Sequence, residues 1–169
     1  SGSDTGLGVT ANDTGDADTG PNNLMNYPVI TAIEYIGGSQ YQLTGTLDNT
    51  VSGEGPFEIE VCLSSSNISG HGGCSQSLGI LENVEQNTSG LTGWSTVVTV
   101  DGDNGTQDRS FTTLATNALG STSEFSLNVD EFTIKSYPIT LNYPVGGITI
   151  DEATPTLVWT SSLDHDIKE

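Results

Sequence analysis

The chain has almost no positive charge. Its 169 residues carry three Lys or Arg against 22 Asp or Glu, a formal net charge of −19. That shortage excludes nucleic acid and an anionic membrane surface as direct partners, because a phosphate binder needs a basic footprint. It favours divalent cations, or an exterior salty enough to screen self-repulsion. Long apolar runs are missing too. None approaches the ~20 residues of a membrane-spanning helix, so no membrane insertion is expected. No secretory leader is present, so a secreted form is expected to have lost it by cleavage. No segment sustains an apolar period of 3.6 residues, so helix should be scarce. Strong acidity alone suggests disorder. Here the apolar residues recur in short alternating runs instead of vanishing, which points to a folded chain. The length allows one domain, or one and part of another.

Groups suited to catalysis are equally sparse. The two histidines are His71, in a Gly-rich loop, and His165, between Asp164 and Asp166. No nucleophile-elbow pattern accompanies them. Glu58 and Glu60 are neighbours on one strand face, with no apolar pocket to raise a pKa. The expectation is a protein that is not an enzyme. Two cysteines, Cys62 and Cys74, flank a flexible Ser- and Gly-rich loop. A disulfide is the expected state, which implies an oxidising compartment. The competing reading is a metal pair completed by His71. It falls short of a closed zinc set, because no further Cys/His pair lies nearby.

What is present reads as strands. The expected runs are Val29 to Ile36, Tyr41 to Leu47, Phe57 to Leu63, Leu78 to Val84, Trp94 to Val100, Arg109 to Ala115 and Glu124 to Val129. Period two places Phe57, Ile59, Val61 and Leu63 on one face, and Glu58, Glu60 and Cys62 on the other. The disulfide should therefore lie on the outer, wetter face and pin a surface loop. The last run should turn Phe125, Leu127 and Val129 inward. About seven strands with turn signals every ~8–12 residues predict an all-β fold: an immunoglobulin-like antiparallel sandwich with Greek-key connections. Residues 1–27 read as an acidic linker and joint, 28–133 as the sandwich, and 134–169 as further strands. Within the last part Ile139 to Tyr143, Gly146 to Ile150 and Thr154 to Trp159 open a second pattern like the first strands of another sandwich, and two strands cannot bury a core alone. Either the chain continues into a longer repeat protein, or these strands complete a neighbouring copy.

Asp13 to Ile30 is the other distinctive stretch. Gly15, Gly20 and Pro21 rule out a long helix. Asp13, Asp16 and Asp18 crowd one loop, with Asn22 and Asn23 behind them. Such a loop repels itself unless a cation or backbone N–H groups neutralise it, and calcium takes oxygen ligands of this kind. A bare structural loop is the alternative. A second candidate is Asp101, Asp103 and Asp108. It lacks the late bidentate Glu of an EF-hand, and Asn-Gly between strands is also a plain turn signal.

Two segments carry a family resemblance. Gly8-Val-Thr-Ala-Asn-Asp-Thr-Gly-Asp-Ala-Asp-Thr-Gly-Pro-Asn-Asn-Leu-Met-Asn-Tyr-Pro-Val-Ile30 resembles the segment that leaves a right-handed parallel β-helix in large secreted bacterial surface proteins and introduces an immunoglobulin-like sandwich. Ala115-Thr-Asn-Ala-Leu-Gly-Ser-Thr-Ser-Glu-Phe-Ser126 resembles the last hairpin of that sandwich. The resemblance implies extracellular, multi-repeat, non-catalytic architecture, although the β-helix itself is absent from this chain. Thr154 to Trp159 is similar to the early strands of fibronectin-type and bacterial immunoglobulin-like repeats.

These readings predict a structural unit of an extracellular filament, stalk or adhesin at the cell surface, pairing with other copies of itself or with adjacent repeats. The rival is a module that binds surface glycans through loops and aromatics such as Trp94, Trp159, Tyr35, Tyr41 and Tyr143, which spacing also suits to a core. Glycosylation-type triplets begin at Asn12, Asn67, Asn87 and Asn104, all in expected loops.

Overall fold

The computed structural model describes residues 8–64, 69–103, 105, 109–130, 139–143 and 158–161. The chain divides into two compact units, Ser1–Lys135 and Ser136–Glu169.

In the first unit, alternation decides which side of each strand is buried. Strand β1 (Val29–Gly37) pairs antiparallel with β2 (Gln40–Leu47), and β2 with β5 (Thr92–Thr99), giving a three-stranded sheet. A second sheet has the order β4 (Cys74–Val84), β3 (Phe57–Ser64), β6 (Ser110–Thr116), β7 (Val129–Asp130). All its pairs are antiparallel. The chain passes from one sheet to the other between β2 and β3, and returns between β4 and β5. The sequence-predicted immunoglobulin-like sandwich is therefore the fold that forms.

One apolar core joins the sheets. Ile33, Tyr41, Leu43, Leu47 and Trp94 face Phe57, Ile59, Val61, Phe111 and Ala115. The rings of Tyr41 and Phe111 meet across the gap with centroids 5.3 Å apart. Gly45 is the cross-strand partner of Trp94. A Cβ at Gly45 would stand 2.2 Å from the Trp94 ring and 2.4 Å from the Val29 carbonyl oxygen. Trp94 thus fills the space that the missing side chain leaves. Trp94 and Tyr41 are core residues, which removes them from any sugar platform.

Two expectations need correction. Cys62 is bonded to Cys74, with Cα atoms 5.2 Å apart. The bridge ties β3 to β4 within one sheet; Cys74 is exposed, as expected of a wet face, but Cys62 is fully buried. The returning leg of the β3–β4 loop explains this. Gly72 lies so close to Thr112, the ladder partner of Cys62, that a Cβ there would be 2.4 Å from the Thr112 Cβ. The loop is held down by Gly72 N–H donating to the Ser126 carbonyl. With both sulfurs in one bond, the metal reading with His71 falls. His71 instead places Nδ1 2.8 Å from the Phe125 carbonyl and its ring edge-on to Tyr27.

The second correction concerns Glu124 to Val129. Only Val129–Asp130 is regular strand. Over residues 123–126 the segment lies beside β6 with two serine hydroxyls replacing carbonyls in the ladder. Ser123 Oγ accepts from Ala115 N–H at 2.9 Å, and Ser126 Oγ accepts from Thr113 N–H at 3.0 Å. The backbone N–H groups of Ser123 and Ser126 donate to the carbonyls of Ala115 and Thr113. Two residues separate these serines, so period two fails. Ser123 and Ser126 are buried, and Leu127 stands 51% exposed.

In the second unit β8 (Ile139–Tyr143) pairs antiparallel with β9 (Val158–Ser161). The expected strand over Gly146 to Ile150 lies outside the described residues.

Candidate functional site

The acidic stretch before β1 is a docked loop. Asn26 is its anchor, 2% exposed. Its Oδ1 accepts from Asp13 N–H at 2.9 Å, and its Nδ2 donates to the carbonyls of Asp13 at 2.8 Å and Asp48 at 2.6 Å. Asn12 reads Tyr27 in the same manner, donating to its carbonyl and accepting from its N–H. Gly15 closes the loop onto the chain after β2. Its N–H donates to Asp48 Oδ1, and its carbonyl accepts from Thr50 N–H. Gly15 is left-handed (φ 74°), and a Cβ there would stand 2.7 Å from Thr50 Oγ1, so position 15 needs glycine for conformation and for space.

Folding brings Asp13, Asp16 and Asp18 together. One oxygen from each lies within 4.8 Å of the others. Asp16 is 4% exposed. Its Oδ1 accepts from Asn26 N–H at 2.6 Å, and its Oδ2 accepts from Asn49 Nδ2 at 2.7 Å. The Asn49 amide also donates to Glu54 Oε2 at 2.8 Å, so it bridges two buried carboxylates. Burial pushes the Asp16 carboxyl up to about 6, against the Asn26 N–H that pulls it down, and the charges of Glu54, Asp13 and Asp18 push it further. Asp13 receives Ala17 N–H. Asp18 Oδ1 is buried without a hydrogen-bond partner. No Lys or Arg precedes Arg109 in the chain.

The arrangement therefore concentrates negative oxygens around one point and supplies amide donors to only some of them. Hard cations favour such a donor set. The grouping of the three aspartates was legible from their spacing. Asn22 and Asn23, expected behind them, are instead exposed in the 3-10 turn over Pro21–Leu24, where both are left-handed (φ 53° and 59°). The groups that hold the Asp16 carboxylate are the backbone N–H of Asn26 and the side-chain amide of Asn49, residues that sequence reasoning passed over. An Asn before a Tyr-Pro pair and an Asp-Asn-Thr after a strand look like ordinary turn residues. Only the fold shows that they are buried.

The second candidate group behaves differently. Asp103 is buried and Asp101 is exposed; Asp108 lies outside the described residues. The Asp103 carboxylate already has protein partners. Arg109 Nε donates to it at 2.6 Å, Gly105 N–H at 2.8 Å and the buried Tyr41 hydroxyl at 3.1 Å. Burial alone would raise its carboxyl; the donors Arg109, Gly105 and Tyr41 outweigh that and hold it below the usual carboxylate range. Asp103 is thus an internal clasp with its own counter-ion, tying the β5–β6 turn to the core through Tyr41.

Among the triplets, Asn87 is exposed and Asn12 is part-buried with both amide atoms bonded to Tyr27. Asn87 also shapes a turn, accepting from Ser89 N–H and donating to the Leu91 carbonyl. Asn67 and Asn104 lie outside the described residues, as do the side chains of Tyr143 and Trp159. Among the described residues no helix is long and apolar enough to cross a membrane. Compared with family models, curated proteins and solved structures, the chain gives no match.

Proposed function

We propose that this chain is a non-catalytic structural unit of an extracellular filament or cell-surface stalk, in which a calcium ion at Asp13, Asp16 and Asp18 fixes the acidic joint to the sandwich. The observation that carries the reading is the joint itself. Three carboxylates converge within 4.8 Å, one of them buried and another with an unpartnered buried oxygen. A cation there relieves the repulsion that Glu54 and the neighbouring aspartates impose on Asp16, and locks the segment that leads into β1. The disulfide is compatible with an oxidising exterior. In this reading successive units join head to tail by strand addition: among the described residues of the second unit β8 and β9 form a two-stranded sheet, which by itself cannot bury a core. The carbohydrate-binding alternative loses support, since Trp94 and Tyr41 lie in the core.

Thermal melts of the full chain with calcium and with chelator test the reading. A ligand at about 100 times its Kd stabilises the folded state by ~2.7 kcal/mol. The melting point should rise by several degrees with calcium, and Asp18→Ser should abolish the rise. Superimposable melts, with no heat of calcium binding, would reject the metal.

A further inference from the structure

The sandwich has two pairs of sheet edges. On one side β4 and β5 end the two sheets; on the other, β1 and β7 do. Among the described residues β1 pairs only with β2, and β7 only with β6. Between these edges runs a groove of about 500 Å³, lined by Tyr27, Val29, Ile30, Leu127, Val129 and Asp130 among others. Val29 and Leu127 are 43% and 51% exposed. Apolar residues beside unpaired strand edges form an adhesive surface, and natural sheets cover or charge such edges. Among the described residues no strand pairs with the outer edges of β1 and β7, Leu127 is bridged to His71 of the β3–β4 loop, and Asp130 is the one charged residue lining the groove, in a chain that otherwise carries a large negative charge.

We infer that this groove is the acceptor for strand β8 of a second copy of the chain. The inference rests on the head-to-tail reading and adds the site to it. Charge selects the occupant. Phe132 to Ile150 contains no Asp or Glu and includes Lys135, one of the three basic residues. The flanks of β9 carry Asp151 and Glu152 on one side and Asp164, Asp166 and Glu169 against Lys168 on the other. An acidic chain with Asp130 at the groove accepts the first segment and repels the second. Sequence alternation in β8 places Ile139, Leu141 and Tyr143 on one face of a strand. Backbone hydrogen bonds to a sheet edge supply affinity, and alternate side chains entering a groove fix the register. Pro138 and Pro144 bound β8 and lack N–H groups, so the added strand is short and the pairing reversible. Because groove and strand are different surfaces, the contact is heterologous and propagates.

The test is sedimentation of the full chain over a concentration series, with Leu127→Glu as the groove variant and a synthetic peptide of residues 136–146 as competitor. Leu127 is exposed, so the variant keeps its core. The wild type should form an open series of oligomers; the variant should shift association at least tenfold to higher concentration, and the peptide should dissolve the oligomers. Oligomers that ignore both the variant and the peptide would overturn the acceptor site and leave head-to-tail assembly standing. A wild-type chain monomeric up to about 1 mM would overturn both. Protection of the Val29 and Leu127 amides from hydrogen exchange by dextran, but not by the peptide, would also overturn the site, by giving it a glycan occupant.

Discussion

Replacing Asn26 with alanine should detach the acidic joint from the sandwich. The side chain makes three hydrogen bonds: with Asp13 N–H at 2.9 Å, the Asp13 carbonyl at 2.8 Å and the Asp48 carbonyl at 2.6 Å. A net ~1 kcal/mol for each gives a loss of ~3 kcal/mol. Orphaned groups that stay dry raise the figure, since each adds ~1–3 kcal/mol, whereas water reaching the part-buried loop lowers it. For a domain of this size ~3 kcal/mol corresponds to a fall of roughly 10 °C in melting temperature. The assay is thermal and urea unfolding of the full chain in chelator, with hydrogen exchange at Thr50 as a local readout. The Thr50 N–H donates to the Gly15 carbonyl, so its protection reports whether the loop is docked. Gln42→Ala, on the exposed face of β2, serves as control and should stay within about 0.5 kcal/mol of wild type. Asn26→Asp separates shape from chemistry. It retains an acceptor for Asp13 N–H but sets a carboxylate oxygen against two carbonyls, beside Asp16, and should be at least as damaging as alanine. An Asn26→Ala protein within about 1 kcal/mol of wild type, with Thr50 still protected, would refute the view that this amide holds the joint.

Two other outcomes follow from the same geometry. Ser126→Ala removes the acceptor of the buried Thr113 N–H and should cost about 1–3 kcal/mol in urea unfolding, far more than its size suggests. The pH dependence of Asp103 has a definite sign. Its carboxyl is lower in the folded chain than the ordinary 3.8, so its contribution is present above that value and lost as pH falls through the folded value. The stability difference between wild type and Asp103→Asn should therefore be full near neutrality and shrink in acid below about pH 4; a difference that is flat through that range would contradict the Arg109 clasp.

Sequence alone determined the architecture because binary alternation and turn chemistry are local. Phe57, Ile59 and Val61 alternate with polar neighbours, so their strand has one burial pattern available to it, and β3 follows it as far as Val61. Cys62 and Cys74 sit close enough in the chain to meet wherever the loop goes. The spacing of Asp13, Asp16 and Asp18 confines them to one loop whatever that loop packs on. Tertiary structure decided everything that depends on a distant partner. Cys62 is buried because residue 72 comes down on Thr112. The serines at 123 and 126 point inward because β6 presents N–H groups that their hydroxyls can take, and no local pattern announces that exchange. Asp103 became a clasp once the fold set Tyr41 and Arg109 beside it. Asn26 and Asn49 look like turn residues in the sequence. They became the supports of the acidic joint because the chain after β2 passes against the chain before β1: the buried Asn26 amide bonds the backbones of Asp13 and Asp48 at once, and the Asn49 amide donates to the Asp16 and Glu54 carboxylates.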